Sequence, residues 1–344
     1  MSNEYILLGI ENPLLDISAV VKPELLAKYG LKGNDAILAE DKHKPLYGEL
    51  TRDYQVQYIA GGAAQNTLRG AQWLLPPKST VYLGAVGKDK EAETLSQVAA
   101  KDGLRTEYQV LEGTPTGKCA VLITGIQRCL VTDLQAANCF SIDHLERPDI
   151  WALVEHARYF YIGGYFLTVS PPSALKIAKH AAEANKVVSI NLSAPFIPQF
   201  FGQQLGELLQ YADVVFGNEA EAEAFSTANN FGTTDLGEIA LKVAALPKAN
   251  TLRPRLVVFT HGAQPTVIAY NGTTKTFPII PIDVKDIVDT NGAGDAFVGG
   301  FLSQYVQGHS VEQSVAAGHY VAHVVIQRSG PSYPSEPHTF SFKA

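Results

Sequence analysis

The sequence predicts an α/β protein in which a mostly parallel sheet lies between two layers of helices, with a small β-rich lid inserted into it. Three observations point there. Short runs of β-branched and aromatic residues alternate with helix-period segments through most of the 344 residues. Several of those runs are apolar at every position, as strands covered on both faces are. Two stretches, about 16–58 and 116–135, break the rhythm.

Strands are expected at 5–10, 81–86, 159–162, 187–191, 214–216 and 256–260. The helix expected at 173–185 opens with Ser170 as N-cap and Pro171 at its first position. Within the second irregular stretch, runs at 119–124 and 130–134 flank a turn at 125–128 and read as two short lid strands. Segments 1–15, 65–114 and 137–344 are therefore assigned to the large domain, and 16–64 and 115–136 to the lid.

Composition narrows the class. With 27 basic and 34 acidic residues, a net charge of −7 gives no electrostatic reason to bind nucleic acid. No apolar run approaches the ~20 residues that cross a bilayer, so no membrane association is expected. The N-terminus runs from an acidic residue into a strand, without the basic segment of a signal peptide. Cys119, Cys129 and Cys139 are odd in number and too widely spaced for a metal knuckle, and read as reduced thiols. The cytoplasm is the expected compartment, with the nucleus as an alternative. No apolar seam is visible, and a monomer is expected.

The most informative segment is Asp289-Thr-Asn-Gly-Ala-Gly-Asp295-Ala-Phe297. Phe297, Phe301 and Tyr305 recur at intervals of four, beside a row of Val298, Leu302 and Val306, so a helix follows directly. Gly292 and Gly294 then sit at a helix N-terminus, where unpaired N–H groups and the helix dipole favour an anion. Asp295 would repel that anion unless it accepts a proton from an attacking hydroxyl; the alternative is a carboxylate that only steadies the first turn. A dinucleotide fingerprint is excluded, because Phe297 stands where its third glycine belongs. Gly113 to Cys119 resembles a Walker A loop with one residue too few and no Ser or Thr for magnesium.

Other polar groups follow strand-like runs, where ligands of open α/β sheets bind. Gly61-Gly62, followed by Asn66 on a helical segment, suits either a ribose contact or a plain turn. Asp16, in Asn12-Pro-Leu-Leu-Asp16, fits a carboxylate gripping two ribose hydroxyls or a cap on the next element. Asn218 and Glu221 form a capping box; a cap leaves one Glu221 oxygen for magnesium, which prefers carboxylate and retained water. Arg128 could neutralise a transferring phosphoryl group or sit solvated in its turn. His319 and His323 have zinc-like spacing but no third ligand.

Taken in order, these segments resemble the adenosine kinase family of ribokinase-like (pfkB) sugar and nucleoside kinases over nearly the whole chain. The blocks at 9–18, 37–43, 61–66, 166–171, 191–196 and 289–301 carry the resemblance. It implies a Rossmann-like three-layer α/β/α core with a lid that closes over the nucleoside, and ATP, adenosine and Mg²⁺ as ligands. It implies Asp295 as the base, Gly292, Ala293 and Gly294 as the anion hole, and Arg128 as a charge partner of the phosphoryl group. Asn12, Asp16, Gly61, Gly62 and Asn66 would meet the nucleoside's polar groups. Leu38, Cys119, Leu130, Phe166 and Phe196 would wall the purine, with Phe166 stacking on it. Asn191, Asn218 and Asn291 would face ATP, with Glu221 toward magnesium, while Thr260, His261, Gly262 and His319 line the second nucleotide pocket. The chain departs from the family pattern at Ala36, Ala63 and His261.

Overall fold

Successive residues of a strand face opposite ways, and in the central strands of this chain both ways are apolar. In a computed structural model of the protein, which describes residues 4–33, 35–125 and 127–342, the two faces feed separate cores. Leu7, Tyr82, Tyr161, Val214 and Val258 face one core, with Leu68, Phe297 and Phe301 from helices. Their neighbours Leu8, Leu83, Phe160, Val215 and Val257 face the other, with Ile177, Leu205 and Ile239. Helices thus cover both faces, as expected of a three-layer α/β/α fold.

The chain forms fourteen strands among the described residues: β1 Leu7–Ile10, β2 Leu14–Val20, β3 Ala36–Leu38, β4 Gln57–Gly61, β5 Thr80–Gly87, β6 Arg105–Leu111, β7 Lys118–Thr124, β8 Gln127–Asp133, β9 Tyr159–Gly163, β10 Val187–Asn191, β11 Val214–Asn218, β12 Leu256–His261, β13 Gln264–Tyr270 and β14 Thr273–Phe277. Nine make the large sheet, in the order β14-β13-β12-β11-β10-β9-β1-β5-β6. All its pairings from β12 to β6 are parallel, and the β12-β13-β14 edge is antiparallel. The other five form a small mixed sheet, β3-β8-β7-β2-β4. Its strand β2 begins at Leu14, inside the segment assigned to the large domain. Ala36 lies in β3, and its side chain is outside the described residues.

The sequence reading missed three strands of the large sheet for identifiable reasons. The edge strand β6 reads R-T-E-Y-Q-V-L, with no apolar run because one edge and part of a face meet water. The β13–β14 hairpin turns on Asn271 and Gly272, at φ of 51° and 74°. An Asn-Gly pair between β-rich runs is a strong hairpin signal, and it was available. The helix Pro171–Glu183 starts where expected, but the Ser170 hydroxyl is hydrogen-bonded to that of Ser173 instead of capping the backbone. Among the described residues no helix is long and apolar enough to cross a membrane.

One packing contact places the site. Helix Ala293–Tyr305 crosses helix Ala63–Leu74 at Gly299, where a Cβ would lie 2.5 Å from the Thr67 carbonyl oxygen. Any side chain there would push the helices apart, and with them the Asn66 and Asp295 that their first turns carry.

Candidate active site

A cleft of about 360 Å³ opens at the carboxyl ends of the parallel strands, beside the small sheet. Its floor is the start of helix Ala293–Tyr305. Gly292 is the N-cap, in the left-handed region at φ 75°, a conformation that residues with a Cβ resist. The expectation of three equivalent amides needs correction. The Ala293 N–H already donates to the Thr290 carbonyl at 3.2 Å, whereas those of Gly292 and Gly294 have no hydrogen-bond partner among the described residues. The N–H of Asn291, also a cleft residue, donates to Asp289 Oδ1 at 3.0 Å and stiffens the turn.

Asp295 lines the cleft one turn from this cradle. Loss of solvation raises its carboxyl pKa to about 7, against a hydrogen bond from Asn66 Nδ2, 3.0 Å away, that favours the ionised form. Asn66 is buried and is not the solvent-facing residue that a plain turn followed by a helix would leave. A group that titrates near neutrality at the foot of a cleft, beside unpaired amides, suits a general base.

Asp16 lies inside β2 and caps no helix, which removes that alternative. Its carboxyl lines the cleft, and burial raises its pKa to about 7. Gly62 and Ala63 border it, as do Cys119 and Leu130 from the small sheet. Gly61 lies under the Asp16 carboxylate and does not itself line the cleft; a Cβ there would come within 2.1 Å of Asp16 Oδ1. Asn12 is buried behind the lining, and its Oδ1 has no hydrogen-bond partner among the described residues.

The expected purine wall is partly displaced. Phe166 is fully buried in the core, edge-on to Phe140, and cannot stack on a ligand in the cleft as placed here. Its neighbour Tyr165 lines the cleft instead, with Phe196 tilted against it at 6.0 Å. Leu38 is 64% exposed and Phe196 39% exposed, both outside the lining. The 3₁₀ turn Gly164–Thr168 explains the exchange, because it swings adjacent side chains to opposite sides.

At the other end, Asn191, Asn218, Glu221 and Thr260 line the cleft from the ends of β10, β11 and β12. Asn191 donates to the Tyr161 hydroxyl at 3.1 Å and accepts from the Ser193 N–H at 3.0 Å. The capping box forms, but it leaves no Glu221 oxygen without a bond: Oε2 accepts from the Asn218 N–H and Oε1 from Asn218 Nδ2. Burial raises the Glu221 pKa to about 7. His261 and Gly262 sit on the β12–β13 turn, outside the lining. His319 also lies outside it, bonded to Thr266 Oγ1 at 2.8 Å, and burial lowers its pKa to about 4. No cluster of three metal-binding side chains occurs among the described residues.

Arg128 reaches the cradle from the small sheet but is engaged there, its Nε 3.0 Å from Asp289 Oδ2. Sequence reasoning overlooked Tyr165, Ser193 and Thr132 in the lining, and two buried charges behind it. One is Glu11, whose pKa burial raises to about 8 and which accepts from the Ala64 N–H. The other is Arg69, one turn beyond Asn66. A charged residue next to the strand end at 10, and another inside an otherwise apolar helix, were the available signals.

Comparison with known proteins gives the family. The model of the pfkB family carbohydrate kinases matches residues 23–338. The chain is 52% identical to adenosine kinase 2 of Arabidopsis thaliana over 333 residues, 96% of each chain. It is 47% identical to the adenosine kinase of Saccharomyces cerevisiae, covering 99% of this chain and 100% of that one. Among solved structures, the adenosine kinase of Anopheles gambiae in complex with P1,P4-di(adenosine-5) tetraphosphate superposes with a TM-score of 0.89 at 48% identity, over 95% and 97% of the two chains. That of Schistosoma mansoni in complex with adenosine and AMP gives 0.87 at 37% identity, over 97% and 98%. The chain belongs to the pfkB family of carbohydrate kinases, in its adenosine kinase branch.

Proposed function

We propose that the protein transfers the γ-phosphoryl group of ATP to the 5′-hydroxyl of adenosine, giving AMP and ADP, and so serves purine salvage. The observation that carries this reading is Asp295, a carboxyl with a pKa near 7 held beside two unpaired amides, in one cleft that runs from the small sheet to the ends of β10, β11 and β12. Adenosine would lie toward Asp16, Gly62, Cys119, Leu130 and Tyr165, and ATP toward Asn191, Asn218 and Thr260.

Asp295 removes the hydroxyl proton as the oxygen attacks the γ-phosphorus in line, and the Gly292 and Gly294 amides receive the charge on the equatorial oxygens. Arg128 would turn from Asp289 toward those oxygens when the small sheet, segments 16–64 and 115–136, closes as a lid over the cleft. Closure excludes water, which would otherwise hydrolyse ATP. A magnesium ion would be held here through water by Glu221: such an ion needs only one or two carboxylates beside substrate phosphates, and each Glu221 oxygen keeps a lone pair beyond its bond from Asn218. Bound there, it would neutralise phosphate charge, and it would keep the buried Glu221 ionised. The protein acts as a monomer in the cytoplasm.

The test is a coupled assay of ADP release with ATP and Mg²⁺, run against adenosine, inosine, guanosine and ribose, with the product identified by chromatography. Turnover with adenosine yielding AMP is expected. Turnover only with another acceptor would overturn the substrate, and adenosine binding without turnover would overturn the reaction.

A further inference from the structure

Behind the cleft lies a chain of buried polar groups that the reaction as written does not use. Arg69 is 2% exposed in the middle of helix Ala63–Leu74, and its guanidinium spends its donors in three directions. Nε meets Asp102 Oδ2 at 2.6 Å, while Nη1 donates to the carbonyl of Ala60, in the small-sheet strand β4, and to Asn66 Oδ1 at 3.1 Å. Tyr333 closes the group: its ring lies 5.4 Å from the guanidinium, and its hydroxyl donates to the Asn66 backbone carbonyl at 2.8 Å.

A guanidinium only donates. The Asn66 atom that faces Arg69 must therefore be the amide oxygen, and the amide nitrogen must face Asp295. Without Arg69 the amide could turn over, presenting an oxygen to a carboxylate and losing the hydrogen bond that holds Asp295. Structural packing alone does not call for a cation here. An aliphatic side chain would fill the same space without the desolvation a buried charge incurs.

We propose that Arg69 is a positioning residue for the catalytic base: with Asp102 as its anchor, it sets the orientation of the Asn66 amide and through it the Asp295 carboxylate. Its bond to Ala60 ties the same group to the small-sheet strand that ends at Gly61, so the base is held in register with the small sheet. This inference rests on Asp295 being the base.

The experiment is a double-mutant cycle in kcat with Asn66→Ala, Arg69→Met and the double variant, with Asp295→Asn assayed alongside. Loss of one hydrogen bond to a charged group predicts that Arg69→Met lowers kcat roughly 10- to 100-fold. If Arg69 acts through Asn66, the double variant turns over no more slowly than Asn66→Ala alone. Arg69→Lys, which keeps a donor but not the fork, should recover part of the rate. Additive losses would overturn the proposal, since a residue that merely supports the helix costs the same whether or not Asn66 is present. Should Arg69→Met not fold, Arg69→Lys replaces it in the cycle, and the same two outcomes decide. Near-normal turnover by Asp295→Asn would instead sink the base assignment. An inactive Asp295→Asn with an additive cycle would sink only the role of Arg69.

Discussion

The two ends of the cleft are built differently. The part proposed for the transferred phosphoryl group is one continuous segment in which backbone makes the site: Gly292 turns the chain, the helix supplies unpaired N–H groups, and Asp295 follows three residues on. The end proposed for the nucleoside is assembled from β2, β7, β8, the helix N-cap Gly62 and the turn at 164–168, and there side chains make the site. Backbone sites survive changes in neighbouring rotamers and side-chain sites do not. The first should therefore be intolerant of any added atom, and the second should trade affinity without losing chemistry.

The sharpest way to break that contrast is Gly292→Ala. At φ 75° a Cβ is strained, and it would also lie 2.7 Å from Pro331 Cβ. Displacing an anion-hole donor predicts a kcat lower by roughly 100-fold with little change in adenosine affinity, read by steady-state kinetics and calorimetric titration. At the other end, Tyr165→Ala should raise the adenosine KM by roughly tenfold and spare kcat. Its neighbour separates lining from core. Phe166→Ala should cost about 3–5 kcal/mol of stability in denaturant unfolding, because that ring is wholly buried. If Phe166 instead governs KM and Tyr165 does not, the placement of the 164–168 turn is wrong.

Smaller effects sharpen the electrostatics. The Asp295 carboxyl, raised to about 7 by burial, must be ionised to take a proton. The rate should therefore be flat above about pH 7 and fall toward tenfold per unit below it, in a kcat profile. Glu11 offers a test on stability alone. Its carboxyl ordinarily titrates at 4.5 but is raised to about 8 in the folded protein. Between those values the unfolded state binds fewer protons, so Glu11 makes the fold progressively less stable as pH rises. Glu11→Gln should match the wild-type melting temperature below pH 4.5 and exceed it by a few degrees at pH 8.

The same contrast explains what could be read from the sequence. The parallel core was legible because strands such as β1 and β5 are apolar on both faces, as strands covered by helices on both sides are. The cradle was legible because a glycine-rich turn, a helix and a carboxylate come in sequence. What was not legible depended on three dimensions. Whether residue 165 or 166 faces the ligand is decided by a 3₁₀ turn, and no periodicity betrays so short an element. Arg128 reads as a free cation until Asp289, far along the chain, is placed beside it. Asn66 reads as a plain helix residue until Gly299 brings the second helix close enough for Asp295 to meet it.

The most direct measurement of the account is the rate and adenosine affinity of Asp295→Asn, by product analysis and calorimetry on the same preparation. The account predicts a kcat lower by roughly 10²- to 10⁴-fold with adenosine affinity retained. A kcat near that of the wild type, with the variant folded and binding adenosine, would contradict it.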